Sequence, residues 1–105
     1  MERIAEWLQR QLSTLIQQEI KDPRLPDLIT ISVVNVSADL SHARVYFTAL
    51  TDNKDQVVLI LNNAAGYLRN ILAKISPLYK VPQLYFMYDD SMEYSLYLSN
   101  LIRKL

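Results

Sequence analysis

Apolar residues recur at spacings of three and four near the start of the chain: Ile4, Leu8, Leu12, Leu15, Ile16 and Ile20, with Gln, Glu and Arg between them. That period predicts an amphipathic helix. Asp22-Pro23 ends it, because the proline ring disfavours helical geometry at the preceding residue, and Pro26 keeps the connector extended. From Ile29 to Val36 the period becomes two. Ile29, Ile31 and Val33 alternate with Thr30 and Ser32, and then the apolar phase slips to Val34 and Val36. The slip predicts a bulge or the end of the strand. Ser37 to Ser41 reads as a turn. Beyond it Ala43, Val45, Phe47 and Ala49 share one face, with Arg44, Tyr46 and Thr48 on the other. Two strands joined by a short turn predict an antiparallel hairpin.

Helical spacing returns from Gln56 to Ile75 through Val57, Ile60, Leu61, Ala64, Leu68 and Leu72, with Asp52 and Asp55 placed to cap its start. Gly66 sits inside this pattern beside Ala64 and Ala65. A mid-helix glycine costs about 1 kcal/mol relative to alanine, so it predicts a kink or a close backbone approach. Pro77 closes the helix, and Pro82 precedes a third strand, Leu84 to Tyr88. Asp89-Asp90-Ser91 opens a last helix with Tyr94, Leu98, Leu101, Ile102 and Leu105 along one face. The expected architecture is α+β, with one three-stranded sheet packed against helices. At 105 residues, 50% hydrophobic and 21% charged, the chain is expected to form a single globular domain over residues 1–105.

Composition removes whole classes of function. Cysteine is absent, which excludes disulfides, thiolate metal sites and cysteine nucleophiles. One histidine excludes a His-cluster metal site, and one glycine excludes a P-loop, a dinucleotide-binding loop or a nucleophile elbow. The longest apolar run, Val57 to Leu61, falls far short of the ~20 residues of a membrane helix. Met1-Glu2-Arg3 opens straight into the helical pattern, with no signal-peptide character. The expectation is a cytoplasmic, non-membrane protein with no catalytic residues, no metal, no cofactor and no small-molecule substrate.

Charge adds one positive clue. Eleven basic residues balance eleven acidic ones, which argues against a polybasic, non-specific nucleic-acid binder. Yet from Gln56 to Tyr88 there is no acidic residue, while Arg69, Lys74 and Lys80 are basic. The stretch reads either as a solvated helix face or as a surface that meets phosphates. Seven tyrosines offer base stacking, notably Tyr46, Tyr67, Tyr79 and Tyr85 beside basic residues, although core packing with a wet hydroxyl is the commoner role. Asp89, Asp90 and Glu93 read as Asp90 capping the last helix with Glu93 completing the arrangement, in preference to a Mg²⁺ site. His42 lies in a polar turn with nothing to orient it for catalysis.

Four blocks then point to a family. They are Lys21-Asp22-Pro23-Arg24-Leu25, Val36-Ser37-Ala38-Asp39-Leu40-Ser41-His42-Ala43-Arg44-Val45-Tyr46, Ala64-Ala65-Gly66-Tyr67-Leu68-Arg69, and Val81-Pro82-Gln83-Leu84-Tyr85-Phe86-Met87-Tyr88-Asp89. In this order and spacing the chain resembles bacterial ribosome-binding factor A over nearly its whole length. The resemblance implies a type II KH-like fold, α-β-β-α-(kink)-α-β-α. Ordinary KH domains clamp nucleotides with a GXXG loop, which a chain with one glycine cannot form. The family carries an Ala-X-Gly kink instead, matched by Ala64, Ala65 and Gly66. The implied function is assembly of the small ribosomal subunit, by binding free or immature subunits and their rRNA. It includes late maturation and 5′-end processing of that rRNA, with a part in cold adaptation. The protein is expected to act as a monomer. Ala64, Ala65 and Gly66, with Arg69, Lys74 and Lys80 and then Arg44 and Arg24, are the candidate RNA contacts, the basic ones chosen from their placement. The rival reading is a KH-like protein-interaction module without RNA binding, using Tyr94 and Tyr97 of the last helix.

Overall fold

The computed structural model describes residues 3–76 and 80–104. Helix α1 (Ile4–Glu19) is followed by strands β1 (Ile29–Val36) and β2 (His42–Ala49), helices α2 (Lys54–Asn63) and α3 (Ala65–Ile75), strand β3 (Gln83–Tyr88) and helix α4 (Ser91–Arg103). The sheet order is β1-β2-β3. This is the element order expected for the type II KH-like fold. Helix α1 turns Leu8, Leu12, Leu15 and Ile16 into the core, and α2 and α3 add Val57, Leu61, Leu68 and Leu72. All three lie on one face of the sheet, where Ile31, Ala43, Val45, Phe47, Leu84 and Phe86 meet them. The opposite face is open.

The hairpin of β1 and β2 is antiparallel, as its alternation predicts, and the phase slip is a bulge. Ile31 pairs with Phe47 and Val33 with Tyr46, so Ser32 is the extra residue. It shifts the inward positions of β1 from Ile29 and Ile31 to Val34. Gln9 of α1 donates from Nε2 to the Ile31 carbonyl at 3.0 Å beside the bulge. In the turn that follows, Asp39 accepts from the Ser37 and Ser41 hydroxyls and the Ser41 amide. These bonds hold its carboxyl well below the ordinary carboxylate range. They also brace Leu40, whose φ of 62° is left-handed.

Strand β3 lies parallel to β2, with His42 opposite Gln83 and Phe47 opposite Tyr88. A parallel pair needs a long crossover, and α2 with α3 supplies it. The Ser32 hydroxyl donates to Asp89 Oδ2 at 2.7 Å, so the bulge of β1 is tied across the sheet to the end of β3. Asp89 Oδ1 accepts from the Ser91 amide at 3.0 Å.

Two sequence expectations, both about helix caps, need correction. Asn53, not Asp52 or Asp55, caps α2, accepting the Gln56 amide at 3.1 Å, because it occupies the turn just outside the helix. Asp89 receives the amide at the start of α4 that Asp90 was expected to take. Glu93 is drawn away from the helix start by the Lys54 ammonium and the Tyr88 hydroxyl, so no reciprocal cap forms. Helix α4 buries no residue. Its apolar residues stay exposed from Met92 to Ile102, because the helix leaves the sheet beyond the end of β3. Pro77, Tyr79 and Leu105 lie outside the described residues.

The Asp89 carboxyl is held below its ordinary value, first by the Ser32 hydroxyl and then by Ser91. A folded-state pKa lowered in this way stabilises the fold above the unfolded value of 3.8, and the contribution is lost as pH falls through the lowered one. Asp89→Asn should therefore lower Tm at neutral pH. Thermal melts of both proteins should show the difference shrinking as the pH is brought below 3.8. A second expectation concerns α4. An isolated helix shorter than ~12–15 residues is marginal in water. With only its first turn tied down, α4 should exchange its amide protons orders of magnitude faster than α1, and Lys54→Ala should speed it further, as read by NMR hydrogen exchange.

Candidate nucleic-acid interface

The expected kink is a real break, but its pivot is Ala64. That residue ends α2 and starts α3, with φ −87° and ψ −5°. Its amide donates to the carbonyls of Ile60 and Leu61, while its own carbonyl accepts from Leu68. Gly66 lies one residue inside α3, and its φ is not positive. A Cβ added there would meet nothing within 4 Å. Neither backbone strain nor crowding within the protein therefore requires glycine at this position. The idea that Gly66 itself permits the bend is corrected on both grounds.

Across from Gly66 runs the outer edge of β3. Ala65, Gly66 and Arg69 on the helix, with Gln83, Leu84 and Tyr85 on the strand, line a groove of about 230 Å³. Asn62 sets its geometry. Its side chain donates to the Phe86 carbonyl at 3.0 Å and accepts the Phe86 amide at 2.8 Å, closing that part of the strand edge against α2. The Gln83 and Asp89 amides point the other way, into β2. The strand's period of two therefore turns the Leu84 amide toward the groove. Arg69 Nε donates to the Val81 carbonyl at 3.1 Å and fixes the approach to β3. A guanidinium has five donors, and among the described residues this is the one hydrogen bond it makes.

The structure thus brings Ala65, Gly66 and Arg69 together, with Ala64 at the hinge. The other candidates are dispersed. Lys74 is exposed in the last turn of α3, and Lys80 is exposed just before Val81. Arg44 lies on the open face of the sheet, with the sheet between it and the helices. Arg24 lies apart from the groove and forms an ion pair with Asp22 at 2.6 Å, its Nε donating to the same carboxylate at 3.0 Å. The pair raises the guanidinium pKa and pulls Asp22 down to about 2. On that side of the hinge Glu19 also accepts from the Tyr67 hydroxyl at 3.0 Å, so acids face solvent there. On the groove side they do not. Among the described residues, no group of three or more His, Asp or Glu is arranged to hold a metal ion.

Comparison with known proteins now adds identity. The model of a family described as Ribosome-binding factor A matches residues 1–102. The chain belongs to this family. A ribosome-binding factor A from Legionella pneumophila (strain Lens) is 56% identical over 101 residues, covering 96% of this chain and 82% of that protein. Among solved structures, the crystal structure of a ribosome-binding factor A from Thermus thermophilus has TM-score 0.70 and 31% identity. It covers 80% of this chain and 90% of the other. A Thermus thermophilus ribosome binding factor A model fitted into the cryo-EM map of a 30S complex has TM-score 0.68 and 29% identity, covering 82% of this chain and 91% of that one. No helix among the described residues is long and apolar enough to cross a membrane.

Sequence reasoning missed Asn62, Gln83 and Leu84. The signal for Asn62 was a polar amide in the last turn of a helix just before a break. Only the fold puts it against β3. Removing it strands a backbone donor and acceptor at a partly buried edge, which costs about 1–3 kcal/mol. Urea unfolding should show Asn62→Ala losing stability in that range, while Asn63→Ala, at an exposed position, stays within about 0.5 kcal/mol of the parent.

Proposed function

We propose that this protein is a non-catalytic assembly factor that binds the small ribosomal subunit through its rRNA, as a monomer in the cytoplasm. The observation that carries the reading is Gly66. It lies in plain helix with open space around it, opposite a strand edge and beside Arg69. A side chain missing where the protein itself has room for one leaves space for a surface arriving from outside, and a sugar-phosphate backbone is one that gains from close approach. Membership of the family and the relative fitted into a 30S complex support the small subunit as the partner. The finer roles implied by the family resemblance, late maturation, 5′-end processing and cold adaptation, follow if binding stabilises one rRNA conformation over others.

One observation favours the rival, a KH-like protein-interaction module without RNA binding: the apolar surface of α4, with Tyr94 and Tyr97 each 61% exposed. Co-sedimentation with immature small, mature small and large subunits, at low and raised salt, separates the two. Selective, salt-weakened binding to small subunits supports the assembly factor, and salt-indifferent binding without RNA supports the rival. Within that assay, Gly66→Ala should leave the fold intact or up to about 1 kcal/mol more stable while weakening binding. Arg69→Gln keeps an amide that can reach Val81. It should reduce the salt slope by about one unit. Unchanged binding by both variants would remove the groove from the RNA interface.

A further inference from the structure

The open face of the sheet holds a second concavity, of about 560 Å³, within the range of about 300–1,000 Å³ usual for small-ligand sites. Asn35, Ser37, His42, Arg44, Tyr85 and Met87 are among its lining residues. Tyr85 also lines the groove at Gly66, so a chain lying in that groove reaches this surface by passing one side chain. We propose that Tyr85 is a stacking platform for one unpaired base of the bound RNA, with Arg44 taking a neighbouring phosphate. The proposal rests on the RNA-binding reading of the groove.

Three features argue for a nucleotide as the occupant. The first is charge. Strands β1, β2 and β3 contain no carboxylate, and among the described residues Arg44 is exposed and makes no ion pair. The acid nearest in sequence, Asp39, is committed to Ser37 and Ser41. The second is preorganisation. The Tyr85 hydroxyl donates to Gln83 Oε1 at 2.9 Å and lies 3.2 Å from His42 Nδ1. The ring is pinned at its polar end, so little side-chain freedom remains to be lost on binding. The third is access. Tyr85 is 41% exposed and Met87 39%, a flat aromatic surface beside a soft apolar one. Every base has a π-face, so a single exposed aromatic ring beside a cation fits a base without regard to its identity.

The test uses the full chain with two probes, a single-stranded oligoadenylate of about ten nucleotides and the same sugar-phosphate backbone without bases, alongside immature small subunits. Tyr85→Leu removes the ring and keeps apolar bulk, whereas Tyr85→Phe keeps the ring and loses only the hydroxyl. Melting curves and circular dichroism establish that both are folded. Tyr85→Leu should bind oligoadenylate on the order of tenfold more weakly at an unchanged salt slope, with Tyr85→Phe, which keeps the ring but loses its hydroxyl bonds, between Tyr85→Leu and the parent. The base-free backbone should bind the parent and Tyr85→Leu alike. Arg44→Gln should weaken both probes and reduce the salt slope by about one. If Tyr85→Leu binds oligoadenylate as the parent does while Arg69→Gln is weakened, stacking is overturned and the groove stands. If Tyr85→Leu loses subunits but not oligoadenylate, Tyr85 meets a ribosomal protein and the proposal is likewise overturned. If the parent binds neither oligoadenylate nor subunits, the RNA-binding reading itself fails.

Discussion

A strand that runs parallel to its neighbour cannot be reached by a tight turn, and the placement of the candidate interface follows from that constraint. To return from the end of β2 to the start of β3, the chain must travel the length of the sheet, and it does so as α2 and α3. The crossover is broken at Ala64, and the second helix starts there facing the outer edge of β3. Asn62 seals the strand edge on one side of the break, and Arg69 holds the entry to the strand on the other. The groove between them is the part of the edge that neither closes. It exists because a two-helix crossover is fastened to an edge strand at two points with a gap between.

Much of this is legible in the sequence wherever a residue's role depends on its neighbours along the chain. The period of three to four over Ile4–Ile20 marks the buried face of α1, and the phase slip after Ile31 marks the bulge at Ser32. Gly66 signals the helix break two residues beyond its true pivot, because glycine is the residue one suspects first. What stays hidden is settled by partners far away in sequence. Asn62 meets Phe86, Ser32 meets Asp89, and Lys54 meets Glu93. Arg24 looks as available as Arg44 in the sequence. One is paired with the aspartate two residues earlier and the other faces solvent, and only geometry tells them apart.

The zero net charge of the chain conceals an uneven distribution. Carboxylates cluster where they serve the protein's own turns and caps: Asp39 in the hairpin turn, Asp89 at the start of α4, and Asp22 beside Arg24. The groove side of the hinge and the open sheet face are left to Arg69 and Arg44. Local fields of this kind depend on spacing more than on totals, so a neutral protein can still present a cationic surface to a phosphate.

Helix α4 gives the molecule a shape that its size does not predict. The Cα radius of gyration is 15.4 Å, against about 13 Å for a compact chain of this length, and the extents are 54 by 33 by 19 Å. In outline this is a plate with a rod fixed to its rim. The rod projects by about 20 Å, from a rise of roughly 1.5 Å per residue. It leaves from the end of β3, whereas the groove lies at that strand's start. The rod is fastened at its first turn, where Glu93 accepts from the Lys54 ammonium of α2 and the Tyr88 hydroxyl of β3 and Asp89 accepts the Ser91 amide. One side chain thus ties the base of the rod both to the first turn of α2 and to the last residue of β3.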